Sequence, residues 1–160
     1  MTSFEILVAF LARLSLVLLF LPFSALDKIL NFEGAVGQAS QATSNPALAR
    51  ALILVGLFVE VVMSACILAG IADRAAAFVL AGYCGVTALL WKQFWRTPDF
   101  RLRGPSQGRE VFWDFLKNFA VAGGFLALAL GPTAGGVSSF LNDPFGSTHP
   151  YSAQTGARTR

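Results

Sequence analysis

Charge is what this sequence has least of. Only 13% of its 160 residues are Asp, Glu, Lys or Arg, against roughly 25% in a soluble domain. Histidine occurs once, at His149, so two histidines of this chain cannot hold a haem, and Met63 is no convincing alternative ligand. Cysteine occurs twice, at Cys66 and Cys84, inside apolar stretches and outside any C-x-x-C pair. Both read as small apolar fillers, which argues against a dithiol oxidoreductase. Ligands for a metal cluster are too few. The phosphate-cradling G-x-x-x-x-G-K-[ST], the zinc-binding H-E-x-x-H and the sequon N-x-[ST] are missing as well. No cofactor is therefore expected to be held covalently or by metal ligands, and any redox role has to use a diffusing quinone or a partner's cofactor.

What the chain has in quantity is apolar surface: 55% hydrophobic residues, with 15 phenylalanines. Mean hydropathy is +0.62. The seventeen residues between Arg74 and Lys92 carry no charge, nor do the twenty-five between Lys117 and Asp143. At about 1.5 Å per helical residue, such stretches and their flanks cross a hydrocarbon core of roughly 30 Å. A soluble bundle would need polar outer faces that these segments lack. The expected fold is all-α, a polytopic membrane protein. A four-helix transmembrane bundle occupies 1–131, and a polar, flexible C-terminal tail occupies 132–160.

The spans are placed at about 4–26, 47–72, 74–95 and 112–130. The first has Glu5 before its apolar body and Arg13 within it, features unlike a cleaved signal peptide. Pro22 is expected to bend its last turns. Asn45-Pro46 is a strong helix start for the second span. Asp73 is placed as the cap of the third, and Gly131-Pro132 closes the fourth. Small residues at i, i+4, i+8 suggest close helix packing: Gly56, Glu60 and Ser64; Ala77, Ala81 and Gly85; Gly123, Ala127 and Gly131.

The net charge of +3 does not point to nucleic acid, because the basic residues gather in loops beside hydrophobic spans. Lys28, Arg50, Lys92, Arg96, Arg101, Arg103, Arg109 and Lys117 fall on one face; Arg13, Arg74, Arg158 and Arg160 fall on the other. The positive-inside rule then puts the 96–110 loop in the cytoplasm and both termini outside. Arg96, Arg101, Arg103 and Arg109 suit anionic lipid headgroups or an acidic partner, lipid being the better match. Asp114 and Lys117, one turn apart, read as a solvated helix edge.

Two charges lie deeper. Glu60 is near the middle of the second span, where a charged side chain costs roughly 2.5–3.5 kcal/mol. Arg13 lies roughly 13 Å along the first span, and Glu60 roughly 18 Å from the same face. A pair between Arg13 and Glu60 inside the bundle is the expectation. It serves either to hold two helices in register or to form a functional cavity.

These residues carry a resemblance. RLSLVLLFLPFSALDKILNFEG (13–34), LVGLFVEVVMSACILAGIADRAAA (54–77) and FWDFLKNFAVAGGFLALALG (112–131) resemble the DoxX family of small bacterial membrane proteins. Its pattern falls on Arg13, Lys28, Glu60, Arg74, Phe112-Trp113, Lys117-Asn118 and Gly123-Gly124. The chain departs from it at Phe23-Ser24-Ala25-Leu26, where a glycine is usual, and at Asp73, where threonine is usual. An insertion also separates Phe112-Trp113 from Lys117-Asn118. The resemblance implies a divergent, four-span protein of the bacterial cytoplasmic (inner) membrane. It further implies an accessory or small subunit of a quinone-linked redox assembly, with redox-complex subunits as partners; it does not imply that this chain oxidises anything by itself. A structural scaffold or assembly factor, and a small-solute or proton pathway, are the alternatives.

Overall fold

The structure, a computed structural model, describes residues 2–152, and these residues are helical with no strand. Helix α1, Ser3–Val17, starts with a reciprocal cap. The Thr2 hydroxyl accepts from the Glu5 amide and the Glu5 carboxylate accepts from the Thr2 amide. The chain continues through a wide turn at Leu19–Ser24 into α2, Ala25–Leu30. Pro22 has no amide proton to give, and Leu21 at φ −121°, ψ 110° leaves helical geometry, so the expected bend is present. The first span thus runs Ser3–Leu30, 28 residues in all, and takes in Lys28.

A short helix, α3 (Phe32–Ala39), packs Val36 and Ala39 against Ala49. Helix α4, Pro46–Ala69, begins as expected: the Asn45 side chain accepts from the amides of Ala47 and Leu48. Gly70, at φ 69°, ends it in the left-handed region where glycine fits without strain. Helix α5 is Asp73–Trp91 and α6 is Gln107–Leu130, followed by a short α7, Gly136–Asn142. Four segments are long and apolar enough to cross a membrane: Ser3–Leu30, Pro46–Ala69, Asp73–Arg96 and Gln107–Leu130.

α5 is the centre of the bundle, packed along α6 and α4. Its buried Ala76, Ala77, Ala81 and Ala88 let neighbouring backbones come close, while Val17, Phe20, Ile67, Leu80 and Phe125 fill the space between. The stripes at Gly56–Glu60–Ser64 and Ala77–Ala81 do face inward. The one in the fourth span does not. Phe125 takes the central position of α6, so Ala122 and Ala129 share the inner face while Gly123 and Ala127 turn outward. Gly124 is the close approach instead: a Cβ there would lie 2.8 Å from a methyl of Leu16 in α1. Leu7, Leu11, Leu54, Phe58, Val86 and Leu89 are exposed on the outside, as helices in lipid require.

The tail is described as far as residue 152. Residues 132–152 fold back on the end of the bundle where α1 begins and α4 turns into α5. Its hydroxyls find free carbonyls at the end of α4 and a carboxylate on α5. Residues 153–160, including Arg158 and Arg160, lie outside the described residues.

Candidate functional site

Glu60 sits in α4 with 2% of its surface exposed. Its partners come from the bent first span and from α5. The Lys28 ammonium lies 2.8 and 3.0 Å from the two carboxylate oxygens. The Ser24 hydroxyl donates at 3.1 Å and the Tyr83 hydroxyl at 2.8 Å. Lys28 also donates to Ser24, one turn before it, at 2.6 Å. A buried carboxylate is tolerable when a cation and further donors compensate it, as here. Gly56 makes the phenol's place: a Cβ on it would lie 3.1 Å from the Tyr83 hydroxyl oxygen. One turn on from Glu60, the buried Ser64 hydroxyl has no hydrogen-bond partner.

The expected Arg13–Glu60 pair is not formed. Arg13 is 2.7 Å from Asp73, and its guanidinium also donates to the Ile67 carbonyl at 2.8 Å and to the Thr148 hydroxyl at 2.6 Å. Two physical reasons account for this. The Ile67 contact puts Arg13 level with the last turns of α4, and seven residues of helix separate Ile67 from Glu60, roughly 10 Å. Asp73 is also no cap. Ala72 takes that place at φ 49°, without a side-chain hydrogen bond, and the Asp73 carboxylate turns inward to become fully buried. Each deep charge therefore has its own partner, and the two pairs sit at different levels of the bundle.

The remaining expected positions do not gather around Glu60. Arg74 donates to the carbonyls of Ser139 and Asp143, tying α7 to α5. Trp113 is exposed, and Asn118 donates to the Asp114 carbonyl. Lys117 and Lys92 flank Asp114 at 3.3 and 3.2 Å. Gly123 faces open space. Arg96 and Arg103 are exposed, Arg109 lies at the start of α6, and Arg101 donates to the Pro105 carbonyl. The loop is closed by Asp99, which accepts from the amides of Gln107 and Gly108 at 2.8 and 3.0 Å. Those backbone hydrogen bonds hold its carboxyl below the usual range.

A cleft of about 500 Å³ opens between α2, α3 and α4, lined by Asp27, Lys28, Asn31, Gln38, Gln41 and Ile53. Lys28 belongs to both cleft and network, so it connects the buried carboxylate to the surface. A second cleft, of about 520 Å³, lies beyond Gln41 beside Trp91, Arg96 and Thr97, and contains no member of the network. Among the described residues, no group of three or more His, Cys, Asp and Glu side chains could hold a metal ion. The chemistry on offer is hydrogen-bond donation by amine, hydroxyl and phenol around a buried carboxylate.

Sequence reasoning does not reach Ser24, Tyr83 or Thr148 as site residues, and takes Asp73 for a cap. Tyr83 carried a signal: it is the one tyrosine within a span, and a buried phenol needs a partner. Lys28 was outside the first span only while that span was ended at residue 26.

Comparison with curated proteins and with solved structures finds no match. A model of the DoxX family matches residues 8–93, more than half of the chain, which takes in Arg13, Lys28, Glu60 and Arg74 but stops short of α6. On that match, over three of the four apolar helices, the chain belongs to the DoxX family of membrane proteins.

Proposed function

We propose that the protein is an accessory or small subunit of a quinone-linked redox assembly in the bacterial cytoplasmic membrane. The observation that supports this is the buried Glu60–Lys28–Tyr83 network with its ammonium in the wall of a polar cleft. Ionisable residues inside a membrane domain mark functional sites by default. The cleft's donor chemistry suits a quinone headgroup, which presents carbonyl acceptors. Lys28 and the side-chain amides of Asn31, Gln38 and Gln41 can donate to it, beside Ile53. A bound quinone would supply two-electron, two-proton chemistry. This chain's share is to present donors and to keep a proton on the Lys28–Glu60 pair; a partner subunit supplies the electrons.

The test is purification of the full chain from its native membrane in mild detergent, identifying partners and bound quinone together, beside a Lys28→Met variant. Expected are a cofactor-bearing partner and retained quinone, the quinone falling at least tenfold in the variant while partner and helicity persist. Neither partner nor quinone in the native preparation refutes the reading.

A structural scaffold is the second reading, and one observation favours it. Both buried pairs are compensated within the chain, so they join α1, α2, α4 and α5 without any ligand. Partners recovered without quinone would support it. For orientation, the basic residues at the end bearing α3 and the 97–106 loop favour a cytoplasmic placement of that end. A reporter enzyme active only outside the cytoplasm, fused after Arg160, should then be active; an inactive but expressed fusion reverses the topology.

A further inference from the structure

Residues 147–151, Ser-Thr-His-Pro-Tyr, are read side chain by side chain by the end of the bundle. The Ser147 hydroxyl donates to the Gly70 carbonyl at 2.6 Å. The Thr148 amide and hydroxyl donate to the two oxygens of Asp73, at 2.8 and 2.5 Å, and Arg13 donates back to that hydroxyl. Pro150 lies on Gly70, where a Cβ would come within 2.8 Å of its ring. The Tyr151 hydroxyl donates to the Leu68 carbonyl at 2.6 Å, and its ring sits 6.5 Å from that of Phe10. His149, at φ 50°, turns the chain between Thr148 and Pro150. Burial raises the Tyr151 phenol above its usual pKa, so it remains a donor at neutral pH.

The receiving atoms come from three elements. Leu68 and Gly70 offer carbonyls that the end of α4 leaves without intrahelical partners. Arg13 and Asp73 come from α1 and α5 and form a buried ion pair with lone pairs and protons to spare. The connection to the segment is looser beyond Asp143, whose carbonyl accepts from Arg74 at 3.4 Å. Within 143–146, Phe145 is 75% exposed, and the Gly146 amide bonds only locally, to the Asp143 carbonyl. The segment is thus held by specific polar contacts, at the end of a linker that packs little.

We propose that this end of the bundle is a peptide-binding socket for a Ser-Thr-x-Pro-Tyr segment, occupied in cis by the chain's own residues 147–151. Release of the segment uncovers Arg13 and Asp73 to water and opens the end of the bundle where α1 begins and α4 turns into α5. The socket lies apart from the Glu60 cleft and does not depend on the quinone reading.

The test uses the full chain with a specific protease sequence inserted after Asn142. After cutting in detergent, a fluorescent peptide of residues 145–152 is titrated and followed by anisotropy. Saturable binding is expected, at least tenfold tighter than to the uncut chain and at least tenfold tighter than for the same peptide with T148V. Absence of saturable binding by cut protein that keeps its helical spectrum overturns the proposal, as does equal binding of the two peptides. A second measurement covers loss of fold on cutting. In the uncut chain, hydrogen exchange at the Thr148 amide is expected to rise at least tenfold in Asp73→Asn; an unchanged rate overturns the socket. Concentration-dependent dimers of uncut chain, joined through this segment, would overturn the assignment in cis.

Discussion

Asp73→Asn and Glu60→Gln should weaken the protein unequally, although each removes one carboxylate from one buried ion pair. Leaving an uncompensated charge in a buried pair costs about 3–5 kcal/mol. In Asp73→Asn the stranded charge is Arg13, 6% exposed, with the Ile67 carbonyl and the Thr148 hydroxyl as its remaining acceptors. It has little access to water while the tail is seated, so a loss within that range of about 3–5 kcal/mol is expected. In Glu60→Gln the stranded charge is Lys28, whose side chain is 17% exposed and lines an open cleft. Water can reach it, so the expected loss is at or below the bottom of the range, about 3 kcal/mol. Removing both charges of the Arg13–Asp73 pair, in Arg13→Met with Asp73→Leu, should recover part of the loss, because no lone ion is left inside. Reversible unfolding in mixed micelles, followed by circular dichroism, measures all three variants. A Glu60→Gln variant as unstable as Asp73→Asn would refute the exposure argument. A double variant no more stable than Asp73→Asn would refute the idea that the unpaired charge carries the cost.

Gly56→Val should drive the Tyr83 hydroxyl off Glu60, losing a hydrogen bond to a charged acceptor worth about 1.5–3 kcal/mol. The same substitution in a Tyr83→Phe background should cost less, and equal costs in a double-mutant cycle would break the link. Gly124→Leu should overpack against Leu16 and cost about 1–3 kcal/mol. Gly123→Ala, which meets open space, should stay within about 0.5 kcal/mol in the same unfolding assay. Asp99 has its pKa lowered by the amides of Gly108 and Gln107. Its contribution to folding is therefore complete above the unfolded value, about 3.9, and disappears as pH falls through the lower folded value. Hydrogen exchange at the Gln107 and Gly108 amides, corrected for intrinsic rates, should stay slow at pH 5 and speed up only under more acidic conditions. Asp99→Ala should remove that pH dependence.

The four crossings were legible because uncharged stretches of that length have few other uses, and the start of α4 because Asn45-Pro46 satisfies and pre-shapes a helix end. Glu60 was legible as a compensated deep charge; its partner was not. Counting from one end of an apolar run assumes a straight helix ending at the last apolar residue. Pro22 instead bends the first span and lets it go on to Leu30, which brings Lys28 inside. Asp73 illustrates a different limit. An acid directly after a helix break looks like a cap in one dimension, and only the left-handed backbone at Ala72 turns it towards Arg13. The seating of 147–151 depends on carbonyls at the end of α4, which no pattern of side chains announces.

The bend at Pro22 leaves one continuous span bonded at two heights, to α5 through Arg13 and to α4 through Lys28. Such a span works as a vernier. Each helical residue advances about 100° around the axis, at 3.6 residues per turn. Deleting or adding a single residue between the two cations would therefore aim one of them at lipid whenever the other met its acid. The distance along the chain from Arg13 to Lys28 is as much a part of this architecture as the residues themselves.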